Sequence, residues 1–185
     1  MATRARERLL DTAEDLFYAD GIRAVGLERI LTTSGVGRAS FYRHFSGKDE
    51  LVVAVLRRRD ERWRQWLTER VAALGGDPLA VFDALAERFA RADFRGCAFI
   101  NTMIETADPD SPAHQVAAEH KAKVTAYVEG LLREHGVADA KTKAPQFVLL
   151  MDGATVTALR ERTAEPADQA RALARGLVPD LSRSR

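Results

Sequence analysis

A short run of hydrogen-bond donors lies between Arg38 and His44. These side chains could form hydrogen bonds and ion pairs with a binding partner. Phe41 interrupts the run and Phe45 follows one helical turn later, so the two rings fall on one face of a helix. A short helix with small residues near its start and donors along one side is typical of a helix that enters the DNA major groove. The residues left free to face outward are Arg38, Ala39, Ser40, Tyr42, Arg43 and His44.

A second short helix must position the first, and the residues just upstream predict it. Leu27, Ile30 and Leu31 have the spacing of one apolar helical face. Gly35 follows as a helix stop, because glycine adopts the left-handed conformation at little cost. Val36 is the apolar residue of the turn and can pack between the two helices. The stretch therefore predicts a helix–turn–helix.

The charge of this stretch favours the same partner. The window from Arg29 to Lys48 also contains Arg38 and Arg43 and has no acidic residue, whereas the whole chain balances 28 basic against 27 acidic residues. Cationic side chains release counterions when they meet phosphates. A structural helical hairpin with a basic solvated face would show the same bias. The turn glycine, the turn valine and the aromatic core agree with the basic charge in favouring DNA binding.

The run GVGRASFYRHFSGKDEL, from Gly35 to Leu51, resembles the signature of the TetR family of bacterial transcriptional regulators. The segments LERI and YADGIRAVGL, which precede it, also resemble that family's N-terminal domain. The resemblance spans the first quarter to third of the chain. Further along, GCAFINTMIE and the acidic, proline-containing loop after it are similar to the ligand domain of some members, although this match is weaker.

The resemblance implies base and phosphate contacts from the start of the recognition helix, backbone contacts from Tyr42 and His44, and a phosphate contact from Lys48. Gly26 and Gly37 depart from the pattern, because many members carry Thr or Ser at these helix N-caps. We expect the lost phosphate contacts to fall partly to two threonines of the preceding helix. The predicted DNA contacts are Thr32, Thr33, Arg38, Ala39, Ser40, Tyr42, Arg43, His44 and Lys48.

The rest of the chain predicts helices throughout, about nine in all. The helix with the donors is expected to run to Phe45, and a long connecting helix to start from a capping box of Ser46 and Asp49. Its charge-dense middle reads as a solvated face, with 57–59 as weak phosphate candidates. The fold class is therefore all-α, with a three-helix helix–turn–helix domain in 1–50, where the connector already starts at 46. A helical ligand-binding and dimerisation domain follows in 51–181, then a tail at 182–185.

The second domain carries apolar and aromatic residues with a few polar ones among them, as a small-molecule site requires. Each residue taken singly is read more simply as core. The resemblance implies an effector cavity between the long helix and those that follow, and the lining favours a hydrophobic or aromatic effector. Asn101 and Asp152 are polar residues in apolar helices, either satisfied locally or in contact with a ligand. The predicted effector contacts are Trp63, Trp66, Phe89, Asn101, Met103, Ile104, Tyr127 and Met151.

The helix predicted to open at Pro145 and end at Arg162 is apolar nearly all round, and such a helix needs burial on every face. One face can meet its own domain and the other a second copy of the chain. The final helix, predicted for 167–178, adds apolar residues, and the resemblance implies that subunits pair there. The predicted homodimer contacts are Phe147, Leu150, Ala154, Ala158, Ala170, Leu173 and Leu177.

Composition narrows the compartment and the class of protein. A single cysteine, Cys97, permits no internal disulfide and favours a reducing cytosol. No apolar run approaches the ~20 residues of a membrane span, and the N-terminus lacks the apolar centre of a signal peptide. We therefore expect a cytoplasmic protein with no membrane partner. The four histidines have no metal-ligand spacing, and no nucleotide-binding glycine pattern occurs, so no metal, cofactor or enzymatic activity is expected.

The resulting hypothesis is a homodimeric transcriptional repressor that an effector releases from a palindromic double-stranded DNA operator. An alternative is an all-helical binding or adaptor protein that keeps the fold without sequence-specific DNA recognition. Gly26 and Gly37 are its only support. A small helical enzyme is a third class, and it lacks any catalytic constellation.

Overall fold

The structure, a computed structural model, describes residues 2–106 and 108–178. Over these residues the chain forms nine α-helices, a short 3₁₀ helix and no strand, which confirms the all-α prediction. The helices are α1 (Ala2–Asp20), α2 (Leu27–Ser34), α3 (Arg38–Tyr42), α4 (Lys48–Ala73), α5 (Ala80–Phe89), α6 (Ala98–Thr106), α7 (Pro112–Glu134), α8 (Ala140–Glu161) and α9 (Glu165–Ala174), and Arg175–Leu177 is the 3₁₀ helix. No helix within the described ranges is long and apolar enough to cross a membrane. The tail predicted at 182–185 lies outside the described residues.

The recognition-helix candidate, α3, is shorter than predicted. It ends at Tyr42 rather than Phe45. The amides of His44 and Phe45 both donate to the carbonyl of Phe41, over 2.8 and 3.0 Å. Tightening of this kind is common in the last turn of a helix, because it satisfies carbonyls that have no partner further along the chain.

Helix α8 is longer than predicted and contains Pro145 in its interior instead of at its start. The carbonyl of Asp139 accepts the amides of Thr142 and Lys143, each over 3.0 Å, and these bonds close the first turn. Proline lacks an N–H, so the helix loses the bond that residue 145 would have donated, and the proline ring crowds the carbonyl four residues earlier.

The start of α4 differs from the predicted capping box of Ser46 and Asp49. The helix begins at Lys48, and the carboxylate of Glu50 accepts the Ser46 amide over 2.6 Å. This backbone bond, with a further bond to the Ser46 side chain and the nearby charge of Arg6, holds the pKa of Glu50 below its ordinary value. The predicted pair is therefore replaced by a carboxylate bond from Glu50, because the helix starts at Lys48 and places Glu50 at its third residue.

The described residues form two compact units that interleave along the chain. The first comprises 2–61 and 98–119, without residue 107, and the second comprises 62–97 and 120–178. Helices α4 and α7 each contribute to both units. The predicted boundary between 50 and 51 separates a DNA-binding domain from an effector-binding and dimerisation domain. The division into compact units does not test these functions, so the boundary stays a prediction.

In the first unit, apolar side chains from α1, α2, α3 and the start of α4 are removed from solvent. Burial of each large apolar side chain stabilises the folded state by about 1.5–3 kcal/mol. Helix α1 therefore packs against both helices of the helix–turn–helix. The buried residues include Leu9, Leu10, Ala13, Phe17, Val25, Ile30, Leu31, Val36, Phe41, Phe45, Leu51, Val52, Val55 and Leu56.

Two arginines of α4 fix that helix to α1. The guanidinium of Arg58 lies 2.8 Å from carboxylate oxygens of both Asp11 and Glu14. Arg59 lies 3.2 Å from Glu14 and 4.1 Å above the ring centre of Tyr18. Arg58 and Arg59 are therefore engaged within the protein, so the prediction of a solvated face was wrong for these two residues. Their weak candidacy for phosphate contact stays a prediction.

The second unit has its own core, built from the end of α4 with α5, α7, α8 and α9. Phe82 of α5 and Phe147 of α8 are fully buried there, with ring centres 5.7 Å apart. Arg171 of α9 and Asp83 of α5 form an ion pair of 3.1 Å at its surface. Packing into this core determines which face of α8 remains exposed.

Candidate nucleic-acid interface

The turn between α2 and α3 is built as the sequence predicts. Gly35 has the left-handed backbone, with φ of 63°, and its amide donates to the last turn of α2. The amide of Val36 donates to the carbonyl of Leu31 over 3.3 Å, and the Val36 side chain is 4% exposed. The Ser34 hydroxyl accepts the same amide and donates to Leu31, each over 3.3 Å. Backbone and side-chain bonds therefore both fix the angle between the helices.

Two buried rings determine the rotation of α3 about its axis. Phe41 is fully buried and Phe45 is 2% exposed, with ring centres 5.8 Å apart. Tyr42 is 50% exposed, and its ring stands edge-on to Phe41 at 5.2 Å. The aromatic ring of Tyr42 is therefore held in place while its surface remains available to a partner.

The predicted DNA contacts all retain some exposed surface. Thr32, Thr33, Arg38, Ala39, Tyr42 and Arg43 are exposed, and Ser40, His44 and Lys48 are half-buried. Their assignment as contacts stays a prediction.

The positive charge of the basic window, residues 29–48, is partly neutralised by carboxylates just outside it. Arg38 at the start of α3 pairs with Glu28 of α2, and Arg29 lies 2.6 Å from Asp20. Among the described residues, Arg43 has no carboxylate within 4 Å. The surface therefore offers less free positive charge than the sequence window suggests.

Lys48 also has an internal partner. Its ammonium group donates to the carbonyl of Ile22, in the loop between α1 and α2, and lies 5.9 Å from the ring centre of Phe17. A phosphate contact by Lys48 requires this bond to be shared or exchanged.

Both helix starts have glycine N-caps in extended conformation, Gly26 and Gly37, and neither has a side-chain capping bond. A Cβ at either position would meet no atom within 4 Å. Lack of space for a Cβ therefore does not explain glycine at either position.

Sequence reasoning missed one residue that supports this interface, Glu105 of α6. Its Oε2 accepts the amide of Arg23 over 2.8 Å, in the loop that leads into α2. The same carboxylate lies against Gly21, where an added Cβ would be 3.1 Å from Oε2 and where φ is +90°. Only glycine meets both conditions without strain. The contact joins residues 82 positions apart, and no local pattern predicts it.

The predicted effector residues are distributed over both units. In the first unit Asn101 lines a cavity of about 30 Å³, which is water-sized, and Met103 is half-buried. Ile104 is 72% exposed, so it does not line an enclosed site as predicted. In the second unit Phe89 and Met151 are core residues, 6% and 3% exposed.

Three further predicted effector residues of the second unit, Trp63, Trp66 and Tyr127, are half-buried. The rings of Trp63 and Trp66 lie 6.1 Å apart, and Trp63 meets the edge of the buried His120 at 5.1 Å. Tyr127 lines a separate cavity of about 380 Å³ together with apolar residues of α4 and α7. Burial raises the pKa of Tyr127, Glu134 raises it further, and a hydrogen bond with Thr68 opposes both effects.

Asp152 is satisfied locally. Its carboxylate forms an ion pair with Lys121 of α7, and both side chains are half-buried. Of the two readings open for Asp152, the structure supports a local partner.

Four of the seven predicted dimer contacts are buried within the chain itself. Phe147, Ala154, Ala158 and Ala170 are buried in the chain's own core, so they are not available to a second chain. Leu150 and Leu177 are half-buried, and only Leu173, at 68%, is largely exposed. The exposed apolar residues of α8, which are not among the predicted dimer contacts, are Leu149 (72%), Val156 (52%) and Leu159 (39%). Their helical spacing of seven and three was the signal in the sequence.

Two family profiles match the chain. The profile described as bacterial regulatory proteins of the tetR family matches residues 9–55. The profile of the C-terminal domain of LmrA/YxaF-like transcriptional regulators matches residues 79–173. The first covers the helix–turn–helix, and the second covers most of α5 to α9.

Similar proteins are transcriptional regulators. The chain is 24% identical to the HTH-type transcriptional regulator LmrA of Bacillus subtilis, over 88% of this chain and 90% of LmrA. It is 32% identical to the HTH-type transcriptional repressor NemR of Escherichia coli, over 56% of this chain and 54% of NemR. Among solved structures, SCO4454, a TetR-family regulator from Streptomyces coelicolor, is 32% identical with a TM-score of 0.82, over 96% and 97% of the two chains. The reduced form of E. coli NemR is 26% identical with a TM-score of 0.81, over 95% and 97%.

The Glu105 contact generates a stability prediction. Glu105→Ala removes the acceptor of the Arg23 amide, and we expect a loss of about 1 kcal/mol in the free energy of unfolding, because the bond is partly solvated. Glu105→Gln keeps an acceptor oxygen and should lose less than half as much. Urea unfolding measures both, and hydrogen exchange of the Arg23 amide reports the contact itself. Equal losses in the two variants would contradict the assigned bond.

Proposed function

The chain belongs to the TetR family of bacterial regulatory proteins, and from this premise we propose that it is a homodimeric repressor released from a palindromic operator by a small hydrophobic or aromatic effector. DNA-binding transcriptional regulation is the function of the family. The repression, the operator and the effector are the proposed parts.

The single observation that carries the proposal is the division of α3 into a buried and an available side. Phe41 is buried, whereas Tyr42 and Arg43 beside it are exposed, and no carboxylate of the described residues neutralises Arg43. A guanidinium can bind phosphate or the O6 and N7 atoms of guanine, and a phenol can donate to phosphate. A groove-binding helix needs such a side, and a purely structural helical hairpin does not.

The proposed dimer uses the exposed face of α8 and α9, with Leu149, Val156, Leu159 and Leu173. Exposed large apolar residues gathered on two helices are unusual on a monomer surface and mark association sites. A twofold dimer presents two copies of α3, which bind half-sites about 34–36 Å apart on one face of the duplex. This spacing requires a palindromic operator.

The proposed effector site is the cavity beside Tyr127. Its volume of about 380 Å³ falls within the range of small-molecule sites, and Val71 and Leu131 supply apolar lining with Thr68 and Tyr127 as polar fixtures. A ligand shifts DNA affinity only when it binds the two conformations of the dimer differently. The cavity is lined by residues of α4, and the same helix begins in the first unit. A ligand that shifts α4 can therefore affect the DNA-binding helices through this continuous helix.

An adaptor that has lost sequence-specific recognition is the second candidate. The glycine caps Gly26 and Gly37 favour it, and so do the ion pairs that engage Arg29 and Arg38. The two candidates differ in the ratio of specific to random DNA affinity, which is about 10³ or more for a sequence-specific regulator.

The interface is tested by fluorescence anisotropy with duplex DNA from upstream of the chain's own gene. Arg43→Ala should weaken binding about tenfold, since it removes one charged contact, and Tyr42→Phe about fivefold, since it removes one hydroxyl bond. Lys141→Ala on α8 is the matched control for loss of a cation and should bind as the wild type does. Unchanged affinity in both α3 variants would refute the assigned interface.

The dimer is tested by sedimentation. The wild type should sediment at twice the chain mass of 20.4 kDa, and Val156→Glu should sediment as a monomer at micromolar concentration, because it places a charge within an apolar contact. Ala122→Glu adds the same charge to the exposed side of α7 and should remain dimeric. A dimeric Val156→Glu variant would move the interface elsewhere.

The effector site is tested with uncharged aromatic probes such as indole and 1-naphthol. A bound probe should saturably shift the melting temperature upward, since ligands stabilise the state they bind, and should weaken DNA binding. Tyr127→Ala should raise the dissociation constant of the probe about tenfold. Phe82→Leu, a substitution of a fully buried core residue that does not line this cavity, controls for general destabilisation. Equal probe affinity in both variants would exclude the Tyr127 cavity as the site.

A further inference from the structure

A carboxylate lies within the candidate DNA interface, where the phosphate backbone would repel it. Glu28 is the second residue of α2, and its carboxylate pairs with the guanidinium of Arg38, the first residue of α3. Both side chains remain well exposed, at 57% for Arg38 and 71% for Glu28. The pair is therefore not a structural core element, and a partner molecule can reach both groups.

We propose that Glu28 is a specificity-determining residue of the DNA interface. Its carboxylate holds the guanidinium of Arg38 in an ion pair. A phosphate of random DNA displaces this carboxylate poorly, whereas a matching base displaces it well. The inference deepens the proposed function and rests on it. It assigns to Glu28 a role in discrimination between sequences, not in tight binding.

On random DNA, exchanging the Glu28 carboxylate for a phosphate as the partner of Arg38 adds little to the affinity. When Arg38 turns to a phosphate, it neutralises one charge of the backbone, but it leaves the carboxylate of Glu28 unpaired beside the same backbone. The salt-dependent part of the affinity grows with the net number of phosphates neutralised. Freeing one cation together with one anion leaves that number nearly constant. Arg38 therefore adds little to non-specific binding while Glu28 is present.

A matching base binds the guanidinium of Arg38 more strongly than a phosphate does. The O6 and N7 atoms of guanine accept two parallel hydrogen bonds from a guanidinium, and this bidentate geometry is stronger and more directional than a single phosphate contact. An exposed ion pair stabilises the protein only weakly, so such a base contact displaces Glu28. Specificity is a difference between two affinities, and lowering the affinity for random DNA raises it.

Arg43 provides the internal contrast. It is exposed directly after the end of α3, and within the described part of the chain no carboxylate forms an ion pair with it. Arg43 is therefore available to any phosphate, whereas the availability of Arg38 depends on the DNA sequence. The segment 38–43 thus carries one guanidinium that is free on any DNA and one that Glu28 restrains.

The experiment measures the affinity for a random-sequence duplex between about 50 and 200 mM salt. Glu28→Gln keeps the size of the side chain and removes its charge, so the variant should bind random DNA severalfold more tightly at the lower salt concentration. Its plot of log affinity against log salt should be steeper by about 0.9, the contribution of one further neutralised phosphate. Asp15→Asn on α1 adds the same unit of charge at a residue with no ion pair among those described, and it should change the slope by less than half as much. Matched thermal midpoints verify that the variants are folded.

A double-mutant cycle locates the effect on Arg38. Arg38→Ala should reduce random-DNA affinity more strongly in the Glu28→Gln background than in the wild type, because only there is the guanidinium free. The ratio of affinities for a duplex selected from a randomised pool and for random DNA should fall in Glu28→Gln. Equal slopes for Glu28→Gln and the wild type, or equal losses on Arg38→Ala in both backgrounds, would overturn the proposal.

The two proposals fail separately. A wild-type protein that selects no sequence from the pool refutes the repressor function, whatever the slopes are. A wild-type protein that selects a sequence but whose slope and selectivity are unaffected by Glu28→Gln retains the repressor function and loses the role assigned to Glu28.

Discussion

The burial of Phe41 and Phe45 is the constraint on which the candidate DNA interface depends. Helix α3 has only five residues, so a single apolar side must hold it. The rings of Phe41 in α3 and of Phe45 just after it are almost fully removed from water. Their burial fixes the rotation of the helix and leaves Arg38 and Tyr42 exposed and Ser40 half-buried. Tyr42 packs edge-on against Phe41, so the core also orients the exposed aromatic residue.

The free positive charge on this surface depends on ion pairs between helices more than on the number of cations in the sequence window. The basic window contains no acid, yet Asp20 and Glu28 lie just before it in sequence and engage Arg29 and Arg38. The arginines of α4 show the same behaviour, since Arg58 and Arg59 are bound by carboxylates of α1. Counting cations along the chain therefore overestimates the charge that a partner meets, because carboxylates on neighbouring helices are invisible to a local count.

The second unit shows a related limit for apolar residues. Helix α8 is apolar nearly all round, and this pattern is enough to predict that it is buried on more than one side. Phe147 and Leu149 are only two residues apart, yet they lie on opposite sides of the helix, one in the core and the other exposed. Packing of α8 against α5 and α9 selects the inner face, and the remaining apolar side chains become the surface available to a second chain.

The sequence by itself determined the features that depend on neighbours within a turn or two. The helical class, the glycine turn at Gly35, the buried Val36 and the inward rings of α3 all follow from local spacing, because helix geometry and glycine's backbone freedom are local properties. Only the tertiary structure decided which cations remain free, which face of α8 is exposed, and that Glu105 supports the loop before α2. These depend on contacts between residues up to 82 positions apart, and the energy of such contacts is set by packing between helices rather than by any pattern along the chain.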